Sequence, residues 1–238
     1  MKGTYSLIVI AAVLAVGCNS APAGYKTKKT DPVKPAEKLQ PGDPSFLPLR
    51  EANSWTYTMR QALRRPDAET QTLESEITFR VAKVQQSGDR TSATIEVVRN
   101  GKVEDRQVWT ATPKGLYQTA MGLNSVAFQP PQPMALAPLE PGARAKVTSR
   151  GMAPNGRVGT NQVELTVLAT QVVDTGQGRM EAFPVNSLNR FTTPQGTGAS
   201  EVTSFFHPGI GIVRYRQEVG FKQAAITSVL TIKSYSVK

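Results

Sequence analysis

Beyond residue 45 the chain is patterned in short alternations of apolar and polar positions. Trp55, Tyr57 and Met59 alternate with Ser54, Thr56 and Thr58, the period of two of a strand with one buried face. Ile77, Phe79 and Val81 oppose Glu76, Thr78 and Arg80 in the same way, which predicts a strand over 73–84. Ser87-Gly88-Asp89 then turns the chain into a strand at 91–99. Asn100-Gly101 is the sharpest hairpin signal, because a type I′ turn needs positive φ at both central positions. Strands follow at 103–110 and 115–120, and later at 143–150, 160–173, 178–190, 200–207, 211–219 and 225–237. Asn155-Gly156, Thr175-Gly176 and Pro208-Gly209 supply turns among the later strands. No period of 3.6 persists over three turns after the first residues, so no substantial helix is expected in the domain. The pattern predicts an all-β fold: a strongly curved antiparallel sheet, open barrel or sandwich of about ten strands.

One stretch breaks the pattern. Residues 121–142 hold Pro130, Pro131, Pro133, Pro138 and Pro141, which speak against a regular central strand. They also hold Leu123, Val126, Phe128, Met134, Leu136 and Leu139, more large apolar groups than a solvated loop would carry. We read this stretch as a long crossover lying on a hydrophobic surface. There is also an internal echo, in which Pro48-Leu49-Arg50-Glu51-Ala52 is matched 90 residues later by Pro138-Leu139-Glu140-Pro141-Gly142. Each opens a group of predicted strands. Duplicated halves of one curved sheet would produce this, as would chance, and a shared strand order would tell the two apart.

The apolar run at 7–16 is too short to cross about 30 Å of hydrocarbon comfortably, and it suits the core of a secretory signal. It leads into Leu14-Ala15-Val16-Gly17-Cys18, which holds the only cysteine of the 238-residue chain. This ending resembles the lipobox of bacterial lipoproteins, with Ala15 where that family usually has leucine. The resemblance implies cleavage after Gly17, a diacylglycerol thioether on Cys18, and acylation (palmitate or a similar chain) of the new N-terminus. Each buried methylene adds about 0.8 kcal/mol, so two or more acyl chains hold a protein to a membrane stably. Asn19 is not the aspartate that marks inner-membrane retention in enteric bacteria, and by that family rule the outer membrane is favoured over the inner.

Composition then limits the chemistry. Formal net charge is +10, and loss of Lys2 with a signal peptide at 1–17 would make it +9. Lys26, Lys28, Lys29, Lys34 and Lys38 fall in a stretch, 18–44, that also holds Pro22, Pro32, Pro35, Pro41 and Pro44. So polar a stretch cannot bury enough surface to offset its ordering entropy, and we read it as a lipidated, extended tether with solvated lysines. The remaining basic residues are scattered, which with the envelope address argues against nucleic acid as a partner. The folded part is one domain, 45–238. With Cys18 lipidated there is no disulfide and no thiolate for a metal.

The domain as a whole resembles a family of uncharacterised secreted bacterial proteins, many of them lipoproteins. Two phrases carry the resemblance: Pro48-Leu49 with Asn53-Ser54-Trp55-Thr56-Tyr57, and Phe206 followed by Gly209-Ile210-Gly211-Ile212-Val213. Ala52 stands where that family usually has glycine. The resemblance implies a curved antiparallel sheet and carries no established activity. Curved half-barrels also occur in the lipoprotein carrier and receptor (Lol) proteins, which cradle acyl chains. No Lol motif is present here, so that likeness is analogy of fold.

Candidate chemistry is sparse. His207 is the single histidine, and beside Pro208-Gly209 it reads as a turn residue. No Gly-x-Ser-x-Gly elbow is present, and a lone imidazole gives no metal site. Glu74 and Glu76 share a strand face with Thr78 and Arg80, and Glu104-Asp105 straddles a strand beside the Asn-Gly hairpin. Both pairs read as solvated rather than as glycosidic carboxylates. Gly196-Thr197-Gly198 and Gly209-Ile210-Gly211 lack phosphate-loop spacing. In Arg214-Tyr215-Arg216 the tyrosine faces away from both arginines, against base stacking. What remains is apolar: Trp55, Tyr57, Trp109, Phe128, Met134, Leu136 and Phe206 are candidates for a shared interior or a groove under the Pro-rich crossover. The expectation is an envelope lipoprotein without catalysis, metal or cofactor. It would be a binding or structural module for an envelope protein or polysaccharide, with a carrier or sensor of an apolar ligand such as lipid as the alternative.

Overall fold

The computed structural model describes residues 47–65, 68–221 and 224–238. Cys18, the signal peptide and the tether lie outside the described residues. The chain runs through β1 (Ser54–Arg65), β2 (Ala68–Ser87), β3 (Arg90–Arg99), β4 (Lys102–Thr112), β5 (Gly115–Met121) and β6 (Val126–Leu136). It continues through β7 (Arg144–Met152), β8 (Val158–Val167), β9 (Gln171–Thr175) and β10 (Gly178–Thr193), then β11 (Gly196–His207), β12 (Gly211–Phe221) and β13 (Ala224–Ser236). Neighbours pair in the order β11-β12-β13-β1-β2-β3-β4-β5-β6-β7-β8-β10-β9, and β10 also pairs β11. That last pairing closes the sheet into a twelve-stranded antiparallel barrel, with β9 as an extra strand. The all-β reading therefore holds, with more strands than the ten expected and a closed wall. The expected strand at 160–173 is two, because the chain breaks at 168–170 before β9.

The hairpin signal at Asn100-Gly101 is realised, with φ of 49° and 74°. The Pro-rich stretch is not a crossover. It forms β6, a wall strand, in ladder with β5 through Val126, Ala127, Gln132, Pro133, Ala135 and Leu136. Of two register shifts in that ladder, one skips Pro130 and Pro131 and the other Met134, and toward β7 only Gln129 and Arg150 are in register. Proline has no N–H to give, so it is tolerated where the ladder is already broken. Side chains hold this seam instead: a Cβ on Gly151 would fall 2.2 Å from the Phe128 ring, so the glycine of β7 makes room for the aromatic of β6.

The wall has two similar halves. β1 to β6 and the series β7, β8, β10, β11, β12, β13 each run as a six-stranded meander. Their entry turns share one hydrogen-bond pattern. Arg50 N–H donates to Pro48 O (3.0 Å), Asn53 N–H to Arg50 O (3.1 Å) and Ala52 N–H to Val81 O (3.0 Å). In the second half Glu140 N–H donates to Pro138 O (2.9 Å), Ala143 N–H to Glu140 O (3.0 Å) and Gly142 N–H to Val167 O (2.8 Å). Ala52 has φ of 68° where Gly142 has 90°, so the position where the family resemblance leads one to expect glycine is left-handed in both halves. Shared strand order and shared turns support duplication over chance.

Most buried positions are apolar, and charged side chains lie on the outer face. Met59, Ile77, Ile95, Leu165, Leu230 and Ile232 are among the fully buried core. Outside, Glu96 accepts from Arg80 at 2.6 Å and pairs with Arg106 at 3.5 Å, while Glu164 pairs with Lys146 at 2.8 Å and Arg190 at 3.7 Å. Glu76, expected on a solvated face, is there and pairs with Lys233. An arginine or lysine facing mid-bilayer lipid costs about 2–4 kcal/mol, so this is a wall built for water.

One end of the barrel is capped. Leu47 and Leu49 lead in from the N-terminal side, Leu139 from the β6–β7 loop, and Ile210 from the β11–β12 turn, all buried. The β9–β10 hairpin crosses the same end: Gly176 N–H donates to Ile232 O at 2.9 Å, and Gln177 Nε2 donates to Lys233 O. Val173, Met180 and Ala182 on its underside are buried in the main core.

Candidate functional site in the barrel lumen

An eight-stranded barrel is just wide enough for side chains to fill, so a wider one needs a plug or keeps a cavity. This barrel has both. Above the cap lies a cavity of about 190 Å³, lined by residues of all twelve wall strands. Its base is aromatic. Tyr57 meets Phe79 edge-on at 5.3 Å between ring centroids, and Phe79 meets Trp109 at 6.2 Å. Tyr57 is pinned by its hydroxyl, which donates to Ile212 O at 2.7 Å, and burial raises its pKa. Toward the uncapped end the lining includes Met121, Met152 and Pro154.

A polar strip climbs one side of this cavity. On β4, Asp105, Gln107 and Trp109 alternate inward, as the two-residue period requires. The indole N–H of Trp109 donates to Gln107 Oε1 at 3.0 Å, and Gln118 Nε2 on β5 donates to the same oxygen at 3.2 Å. Gln107 Nε2 then donates to Asp105 Oδ2 at 3.2 Å. The relay ends there. Asp105 is fully buried, and its Oδ1 has no partner among the described residues. Gln132 Nε2 on β6 and Asn189 Oδ1 on β10 are likewise buried and unpaired in the same lining. Across the cavity Asn189 Nδ2 donates to Asn161 Oδ1 at 3.0 Å, and Gln217 Nε2 donates to Ser200 Oγ at 3.2 Å.

Burial pushes the Asp105 carboxyl pKa up, against smaller downward pulls from Gln107 and the backbone N–H groups of Arg106 and Gly122. No lysine, arginine or histidine shares the cavity lining. The folded chain therefore holds the Asp105 proton more tightly than the unfolded chain does. Its contribution to stability is full below the unfolded carboxylate value of about 3.9 and is lost as pH rises through the folded value. Asp105→Asn is thus expected to raise the urea midpoint at pH 8, with the gain shrinking as pH falls toward 4. Parallel midpoints against pH for the two chains would contradict this.

The expected apolar residues divide. Tyr57, Trp109, Phe128 and Met134 line the cavity. Trp55 and Phe206 are fully buried in the main core, and Leu136 packs against it. His207 ends β11, with Nδ1 2.6 Å from Pro208 O, and is not part of the lining. Tyr215 faces the lumen, while Arg214 lies over the Phe205 ring at 6.0 Å and Arg216 sits 3.9 Å from Glu218. Asp105 corrects the reading of Glu104-Asp105 as a solvated pair: Glu104 is exposed and pairs at 3.1 Å with Arg99, which is largely buried with its Nη2 3.9 Å from Met59 Sδ, and Asp105 is inside. Strand parity could have found it, since an inward Trp109 makes positions 107 and 105 inward too.

No family model matches the chain, and no curated protein does. Solved structures to which the chain is similar include the following three. A candidate exported protein with a YmcC-like fold from Bacteroides fragilis is 15% identical, covering 79% of this chain and 96% of that one, with a TM-score of 0.48. A candidate lipoprotein from Parabacteroides distasonis is 13% identical over 80% of this chain and 98% of that one, with a TM-score of 0.48. The hypothetical lipoprotein YmcC from Escherichia coli is 12% identical over 73% and 83%, with a TM-score of 0.33.

Proposed function

We propose that this chain is a lipid-anchored, non-catalytic binding module of the bacterial cell envelope, and that it binds a small molecule inside the barrel. The observation that carries the reading is that three residues lining one cavity, Asp105, Gln132 and Asn189, each bury a polar atom that has no partner among the described residues (Oδ1, Nε2 and Oδ1). Each such atom costs about 1–3 kcal/mol until a ligand or a lumen water pairs with it, so a ligand with matching donors and acceptors gains by binding here. The volume supports a small occupant. At about 190 Å³ it compares with an engineered cavity of about 150 Å³ that takes benzene. Carriage of a long acyl chain fits this interior poorly. Within the lining Asp105 has no second carboxylate and no imidazole beside it, so the reading gives it a binding role rather than acid–base work. The anchor rests on the lipobox at Cys18, and the chain enters the barrel at its capped end through Leu47 and Leu49.

Intact and native mass spectrometry of the chain and its Cys18→Ser variant tests both parts. The wild-type chain from membranes is expected to carry the mass of diacylglycerol plus an acyl group, and the variant neither. Under native conditions the variant is expected to hold no phospholipid or fatty acid. An unmodified wild-type mass would remove the anchor. A stoichiometric long-chain lipid on the variant would replace the small-molecule reading with lipid carriage.

A further inference from the structure

Resting on the lumen reading, we propose that the occupant is a small amphipathic amine, with an apolar body of about one ring against Trp109 and Phe128 and its N–H group on Asp105 Oδ1. Three observations lead there. The lining residues include one carboxyl and no basic side chain, and the largely buried Arg99 of β3 lies outside that lining and is paired with Glu104, so a positive charge is what the lining lacks. The carboxyl is held rather than free: Gln107 Nε2 engages Oδ2, Gln107 is itself fixed by donors from Trp109 and Gln118, and the backbone N–H groups of Arg106 and Gly122 also favour the carboxylate, while no hydrogen bond closes on Oδ1 among the described residues. The remaining surface near the base is aromatic and aliphatic, and aromatic faces favour a cation beside them.

Competing classes fit less well. An anion would meet Asp105 without a compensating charge. A divalent metal ion needs several oxygen ligands, and among the described residues no three histidine, cysteine, aspartate or glutamate side chains come together. A hydrocarbon would leave Asp105 Oδ1, Gln132 Nε2 and Asn189 Oδ1 unpaired. Raised proton affinity at Asp105 adds a signature, since a bound ammonium would favour the carboxylate and release the proton.

Benzylamine, benzyl alcohol and toluene share one ring and differ in the head, so they separate these classes. Calorimetric titration would use the full chain carrying Cys18→Ser, which removes the acyl chains as a competing apolar phase. Benzylamine is expected to bind about tenfold to a hundredfold more tightly than toluene, the ratio of one hydrogen bond to a buried charge. Asp105→Asn is expected to bring it to within about twofold of benzyl alcohol. Contacts from the probe to the methyl groups of Met121, Met134 and Met152 in nuclear Overhauser spectra locate it without reliance on the variant. Equal binding of all three probes, or benzylamine binding that Asp105→Asn leaves unchanged, would overturn the amine assignment and leave a lumen that binds small molecules. Failure of all three at millimolar concentration would overturn the lumen reading as well.

Discussion

Replacing Trp55 with alanine is expected to cost the fold about 3–5 kcal/mol, read as a fall in the urea midpoint. Trp55 is 1% exposed and sits where three parts of the cap meet. Its indole N–H donates to Ile210 O at 2.6 Å, tying β1 to the β11–β12 turn across 155 positions of sequence. A Cβ on Gly211 would lie 2.4 Å from Leu47 Cδ1 and 3.7 Å from the Trp55 nitrogen, so this glycine, at φ of 101°, is what lets the turn approach the ring. Alanine would remove the buried ring and leave a void that the surrounding strands, each fixed by two neighbours, cannot close. It would also orphan the Ile210 carbonyl. Trp55→Phe separates the two effects: most of the volume stays and the donor goes, at an expected cost of about 1–3 kcal/mol. If phenylalanine proved as costly as alanine, the hydrogen bond rather than ring burial would hold the cap. Since Trp55 is not in the cavity lining, binding by the remaining folded chain should persist.

Local patterns carried the wall and left its closure hidden. Alternation at Trp55, Tyr57 and Met59 reports one strand and its buried face, and Asn100-Gly101 reports a turn, because both are decided within a few residues. The β1–β13 pairing joins the two ends of the domain, Ser54 with Ser236, and its register is set between segments that lie far apart in sequence. At β6 the proline-based rule fails because it assumes an intact ladder on both sides. Here the ladder toward β7 is reduced to Gln129 and Arg150, so the prolines remove little. The division of the apolar set had a different cause. Trp55 and Tyr57 share a face and both donate to the β11–β12 region, yet one lies in the cap and the other lines the lumen. A two-residue step along the strand separates the two layers, and no local pattern marks where the cap stops. The polar strip was overlooked because charged residues beside a hairpin are ordinarily wet, while the parity set by Trp109 pointed the other way.

Trp109→Ala should affect stability and binding together, in contrast to Trp55→Ala. Trp109 is 2% exposed, packs edge-on against Phe79, and forms part of the cavity wall. Truncation is expected to cost about 3–5 kcal/mol, toward the lower end for two reasons. Gln107 Oε1 keeps its bond from Gln118, so no acceptor is orphaned. The new void also joins a space that already holds polar groups, which lets water enter instead of leaving vacuum. The same enlargement should create affinity for a ligand of the missing shape. Indole added at ten times its dissociation constant would restore about 1.4 kcal/mol by mass action, visible as a higher urea midpoint. Wild type, whose own ring occupies that volume, should gain much less. Equal gains in the two chains would mean that indole binds elsewhere and that Trp109 does not border the ligand cavity. A gain confined to the variant would place the lumen, its aromatic base and the relay to Asp105 in one ligand-accessible space.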